Sequence, residues 1–247
     1  MSNKTKVLIV IALIVSVGSL GIAYAALSQT LTLTAQVAVA ASKLDVRFEA
    51  QNNKITISEF VNSNGASVQE DADVNETSIT NIKIDFSSPG QSVSFPLKAV
   101  NHNANFGAKL SDVLFANGSY DNSNIILICS SNDSDICTFG EEYDKSDKNT
   151  VYTQIRADFI QNFAINIFKT VTGSQDVLLA QYSNGTWNKT SLTSNAGVLN
   201  KYTESNNYET YKVVVEYSIN AISDFPEGYL LVASNLNLDF KYLQQAS

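Results

Sequence analysis

The sequence predicts a mainly β protein: a β-sandwich or jelly roll with a short helical insertion and an N-terminal hydrophobic leader helix. Three observations point there. Apolar and polar side chains alternate through many short runs of the 247-residue chain. Pro-Gly and Asn-Gly turns separate several of these runs. After the leader, only one stretch repeats its apolar residues every four positions. Period-two alternation marks half-buried strands, and a four-residue repeat marks a helix.

The leader comes first. Lys4 and Lys6 precede an almost wholly apolar run, Val7 to Val17, which Gly18 and Gly21 then loosen. Ala23 and Ala25 are the small residues a signal peptidase requires, so cleavage is predicted between Ala25 and Ala26. Val7 to Ala26 is also about the 20 residues that span a bilayer, which leaves a retained anchor as the competing reading. A pilin-like start lacks both its cut site beside the lysines and its following Glu. The predicted organisation is therefore a leader over 1–25, an arm over 26–42 and a sandwich over 43–247.

In the arm, Leu31, Leu33, Ala35, Val37, Val39 and Ala41 share one face, and Thr30, Thr32, Thr34 and Gln36 share the other. That is a strand of about a dozen residues at roughly 3.3 Å each. A strand freed by cleavage has unpaired backbone groups, which a sheet edge of another molecule can satisfy. The alternative is pairing within its own domain.

Leu44, Val46 and Phe48 alternate next, then Ile55, Ile57 and Phe60. The acidic stretch 69–76 reads as a loop. Ile82, Ile84 and Phe86 lead into Ser87-Ser88-Pro89-Gly90, with Pro and Gly placed as a type II turn requires. Val93, Phe95, Leu97 and Ala99 follow, and Pro96 on the opposite face argues for an edge or a bulge. Ile125 to Ile128 reads as a buried strand. Val151, Ile155, Phe159 and Phe163 predict a helix to about Gln161, with a strand from there to Val171. A turn at 172–175 leads to a strand over 177–182, and Asn184-Gly185 turns the chain before Trp187. Residues 191–207 read as an exposed polar insertion. Strands at 213–219 and 236–242 close the chain.

Composition narrows function. The net charge is −8, and losing Lys4 and Lys6 with the leader leaves 14 basic against 24 acidic residues, or −10. The only arginines are Arg47 and Arg156. Nucleic-acid binding needs clustered cations, so it is excluded. Charged residues are 16%, against roughly 25% in ordinary soluble domains. Asn, Ser, Thr and Gln supply the polar surface instead, which suits packing against copies of itself. Export makes Cys129 and Cys137 a candidate structural disulfide closing a short loop.

Three patches resemble the TasA/camelysin family of secreted fibre-forming surface proteins. They are Gly21-Ile22-Ala23-Tyr24-Ala25-Ala26-Leu27-Ser28; Ser88-Pro89-Gly90-Gln91 with Phe95, Asn101 and Asn105; and Leu238-Asp239-Phe240-Lys241-Tyr242-Leu243-Gln244. Ala26-Leu27-Ser28-Gln29 stands where that family shows an aromatic and an acidic residue. The cysteine loop and the 191–207 stretch look like additions. The resemblance implies a jelly roll, secretion, and filaments in which one subunit's N-terminal strand completes a neighbour's sheet.

It also raises peptidase activity, but this sequence carries no zinc or nucleophile motif. His102, the single histidine, lies between two asparagines and reads as a turn residue. Oxygen-rich loops at Asp121, Asn122 and Asn124, and at Asn132 to Asp135, read as solvated turns or as calcium ligands, without EF-hand spacing. Glu141 and Glu142 read as surface carboxylates. Asn-x-Ser/Thr sequons occur at Asn75, Asn117, Asn132, Asn184 and Asn188. Trp187, Tyr208, Tyr211 and Tyr217 read as core. The expectation is a secreted, non-enzymatic, cofactor-free protein of the cell surface or matrix. Its partners are copies of itself, and it meets the membrane only through the uncleaved leader. The runner-up is a monomeric adhesin or carbohydrate-binding module.

Overall fold

Strands dominate because residues of β-branched and aromatic type alternate through most of the chain. The computed structural model describes residues 44–129, 148–218 and 228–245, with side chains from 152 onward in the second segment. Residues 44–247 form one compact unit and residues 1–43 another. The leader and arm therefore lie outside the described residues, as do Cys137, the Asn132–Asp135 loop and the Glu141–Glu142 pair.

In chain order the strands are β1 (Val46–Phe48), β2 (Lys54–Ile55), β3 (Val61–Ser63), β4 (Ser67–Val68), β5 (Ala72–Asn75), β6 (Ser78–Phe86), β7 (Ser92–Asn101), β8 (Gly107–Phe115) and β9 (Ile125–Cys129). Helix α1 (Lys148–Asn162) follows, then β10 (Phe163–Lys169), β11 (Val177–Ser183) and β12 (Thr186–Asn188). The short helix α2 (Leu192–Asn195), β13 (Val198–Leu199), β14 (Tyr208–Tyr217) and β15 (Tyr229–Gln245) complete the series.

Among the described residues seven strands make one antiparallel sheet, ordered β1-β7-β14-β10-β11-β12, with β3 beside β1 on β7. Eight make the other, ordered β13-β8-β15-β6-β5-β2, with β4 on β6 and β9 on β15. Aromatic rings bridge the two across a shared core. Phe48 of β1 meets Phe240 of β15 edge-on at 5.1 Å, Tyr211 of β14 stacks on the same ring, and Phe115 of β8 meets Tyr182 of β11 at 4.7 Å. Such pairs prefer these offset and edge geometries and add to the stabilisation from burial.

Several expected elements stand where the pattern placed them. The four-residue repeat forms α1, whose Ile155 and Phe159 are buried, and the chain passes into β10 at Phe163. Asn162 marks the change: its Nδ2 donates to the Asp158 carbonyl at 3.0 Å and its own carbonyl accepts from Ser218 N at 2.9 Å. Gly90 has φ +86°, as the turn after Pro89 requires. Gln91 locks that turn, its Oε1 accepting from Ser87 N at 2.7 Å and its Nε2 donating to the Asn64 carbonyl.

Other elements differ. β8 was not expected, because Ser111 forms a bulge. Leu110 and Asp112 face the consecutive Tyr242 and Lys241, so Ala108 and Leu110 point inward and then Val113 and Phe115 do, out of phase. The acidic 69–76 stretch contains β5, with Ala72 and Val74 buried and alternating with half-buried Asp71 and Asp73. The 191–207 stretch is no exposed insertion, since Leu192, Ala196 and Leu199 enter the core. Ile57 sits in a 3-10 turn and is exposed rather than extending a strand. Tyr208 is exposed, unlike Tyr211 and Tyr217.

Burial holds the tyrosine hydroxyls neutral. It raises the pKa of Tyr211 and Tyr242 well above the ordinary value of 10.0, and that of Tyr229, assisted by a hydrogen bond with Tyr152, to about 12. A raised folded-state value means that the unfolded chain loses its protons first as pH climbs. The stability these groups contribute is whole below pH 10 and is lost as pH rises from 10 towards their folded values. Urea midpoints measured between pH 8 and 12 should therefore show no decline from these groups up to pH 10 and a steep fall above it.

Candidate assembly surface

Unpaired backbone groups sit at the margins of a sheet, so each margin matters. At the first margin β1 and β3 lie end to end along one side of β7, facing residues 99–101 and 92–94. Asn101 N donates to the Asn207 carbonyl, and Gln91 O accepts from Tyr217 N, so odd-numbered residues of β7 turn their backbone groups to β14. Pro96, which has no N–H, therefore faces the gap between β1 and β3. This is the local edge its position in the sequence suggested. The margin is blunted in the usual way, by two- and three-residue strands, a proline and the charges of Arg47, Glu49 and Lys98. On the adjoining margin of the second sheet, β2 is two residues long and Lys54 stands 3.9 Å from Asp73.

At the opposite margin the chain crosses from sheet to sheet. The β11–β12 hairpin, α2 and β13 carry it over, and this crossing covers β8. Lys189 pairs with Asp112, Trp187 packs on Phe115 at 5.4 Å, and β13 bonds to β8 at Ala108 and Lys109. The crossing is anchored inside by Glu209, which is only 7% exposed. Its Oε1 accepts from Lys169 Nζ at 2.5 Å and from Gly197 N at 3.0 Å, and its Oε2 accepts from Tyr211 at 2.7 Å. Tyr242, from the other sheet, donates to the Tyr211 hydroxyl at 3.2 Å. A Cβ at residue 197 would run into the Glu209 carboxylate and stand 2.7 Å from Lys169 Nζ, which explains the glycine.

The same margin also holds β9. This strand pairs with β15 over Ile125–Ala233 to Cys129–Tyr229, collinear with β8. Among the described residues β15 is its only ladder partner. Its five residues, Ile-Ile-Leu-Ile-Cys, make it the longest of the edge strands described, and none is charged. It is not buried on both faces, as its apolar run had suggested. Ile125 is in the core and Leu127 packs half-buried against it, but Ile126 and Ile128 are 42% and 44% exposed.

The residues singled out from sequence fall as follows. Cys129 ends β9 opposite Tyr229, and its expected partner Cys137 lies outside the described residues. Ala23, Ala25, Ala26 and the arm residues Leu31, Leu33, Ala35, Val37, Val39 and Ala41 lie outside them too. His102 directly follows β7: its N donates to the Asp45 carbonyl at 2.7 Å, next to the Val46–Asn101 pair, and its ring stacks on Tyr202 at 5.2 Å. Asp121 caps a 3-10 turn, and hydrogen bonds from Ser123 Oγ and N hold its carboxyl below the ordinary carboxylate value. Asn124 Oδ1 accepts from Asp121 N. These oxygens are used within the turn. The sequon residues Asn75, Asn117, Asn184 and Asn188 are exposed.

Sequence reading missed Glu209 and the outer face of β9. Register on β14 would have found the first, since Glu209 shares the inward parity of Tyr211 and Val213. Compared with known proteins, the chain matches no family model, no curated protein and no solved structure.

Proposed function

We propose that this chain is a secreted structural protein that self-assembles into extracellular fibres or a surface layer. In this reading the sandwich is a jelly-roll body of the TasA/camelysin type. The arm, residues 26–42, is a β-strand given to a neighbouring copy once the leader has been cut. The observation that carries the reading is the contrast between margins among the described residues: the other edge strands are two or three residues long, charged or covered by the crossing, while β9 is five residues long, uncharged and apolar. An alternating segment in a separate unit supplies the complementary strand. Its partners are copies of itself, catalysis and cofactors play no part, and a Cys129–Cys137 disulfide closes the loop beyond β9.

Electron microscopy of the mature protein recovered from the medium is the test. Ordered filaments or sheets are expected, and a persistent monomer at high concentration contradicts the reading.

One observation favours a second reading, a monomeric adhesin or carbohydrate-binding module. Tyr202 and Tyr208 are each 53% exposed, the first stacked on His102 and the second beneath Lys98 Nζ at 4.7 Å. Exposed, braced aromatic rings are surfaces on which sugars stack. A stable monomer that binds a glycan array would select this reading over the first.

A further inference from the structure

We propose that Asn184, in the turn between β11 and β12, is a site of spontaneous deamidation, and that the fold singles it out from two other Asn-Gly pairs of the same local chemistry. The proposal stands apart from the self-assembly reading and does not depend on it.

The reaction needs an asparagine side chain free to turn, a following backbone N–H free to lose its proton, and an unobstructed approach between them. Glycine meets the last condition because it has no Cβ. The sequence holds three Asn-Gly pairs, at 64–65, 117–118 and 184–185. In the first, Asn64 Nδ2 donates to the Gly90 carbonyl at 2.8 Å and the Asn64 carbonyl accepts from Gln91 Nε2 at 2.8 Å. The electrophile is held there. In the second, Asn117 is exposed, but Gly118 N donates to the Phe115 carbonyl at 2.9 Å, so the nucleophile is tied.

In the third, neither partner is restrained. Asn184 and Gly185, at φ +48° and +74°, are the two residues between the paired Ser183 and Thr186. Both are exposed, and a Cβ at residue 185 would meet nothing within 4 Å. Among the described residues neither the Asn184 side chain nor the Gly185 N–H makes a hydrogen bond.

Overall the reaction consumes water and releases ammonia. Hydroxide takes the Gly185 amide proton, and the nitrogen attacks Asn184 Cγ. As the N–Cγ bond forms, the Cγ–Nδ2 bond breaks, and the departing group takes up a proton to leave as ammonia. Water then opens the five-membered imide at one of its two carbonyls. One opening gives aspartate; the other gives isoaspartate, in which the main chain runs through Cβ. Either product adds a negative charge beside β12, the last strand of the first sheet, and removes the Asn184-Gly185-Thr186 sequon.

The test stores the full mature chain at mildly alkaline pH, folded in buffer and, in parallel, unfolded in guanidinium chloride. Peptide mass spectrometry follows the amide-to-acid mass change at each of the three asparagines over time. In denaturant the three should convert at similar rates. In the folded chain Asn184 should convert about tenfold faster than Asn64 and Asn117, the factor that corresponds to releasing one hydrogen bond of about 1.4 kcal/mol. A folded chain in which Asn184 converts no faster than either of the others overturns the proposal. So does a preference for Asn184 that persists undiminished in denaturant, since the sequence alone would then account for it.

Discussion

Phe240→Ala should lower the unfolding free energy by about 3–5 kcal/mol, the range for deleting a large aromatic side chain from a closed core. Phe240 is fully buried on β15, the strand that pairs with β6, β8 and β9 and so organises the second sheet. Its ring is the meeting point of the two sheets, edge-on to Phe48 and stacked with Tyr211. Truncation removes the transfer free energy of the ring. It also leaves a cavity that rigid strands on both sides cannot collapse to fill. Urea unfolding followed by tyrosine and tryptophan fluorescence measures the loss. A change below about 1 kcal/mol would mean that the sheets do not pack through this residue.

Glu209→Ala carries the second large effect, about 3 kcal/mol. Breaking a buried ion pair typically costs 3–5 kcal/mol because it strands the remaining charge. The loss here falls at the lower end, since the Lys169 side chain is 27% exposed and can recover some hydration. Gly197 N and the Tyr211 hydroxyl also lose their acceptor. Glu209→Gln keeps an oxygen acceptor and removes only the charge, so it should cost roughly half as much. The order Ala worse than Gln, read from denaturation midpoints, distinguishes a hydrogen-bonded anchor from simple space filling. Because Gly197 lies between α2 and β13, the Ala variant should also raise amide exchange across residues 192–199 before the rest of the fold.

Long, regular elements were legible in the sequence for a physical reason. β7 and β14 keep one inward parity from end to end, and α1 keeps its four-residue repeat, so local pattern and tertiary packing agree. Agreement failed where a bulge changes parity, as at Ser111 in β8. It failed also at Asn81 and Asn235, whose positive φ values mark compensating irregularities between β6 and β15. β5 was hidden because two alanine- and valine-sized inward residues carry its burial while acids crowd its outer face. The candidate surface was half legible. An apolar five-residue run announces a strand, but whether both of its edges are paired depends on which segments the fold brings alongside. Periodicity carries no information about that. Glu209 was legible in parity and was passed over because an acid in a strand is normally read as solvated.

The self-assembly proposed for this protein depends on an arm that the sandwich can do without and the assembly cannot. Sedimentation velocity on the mature chain and on the same chain lacking residues 26–41, at matched concentrations, reads both halves of that statement. The account predicts that the shortened protein is a compact monomer with an unchanged unfolding midpoint, while the intact one sediments as a broad series of large species. Large species formed equally by both, or a shortened protein that fails to fold, would contradict it.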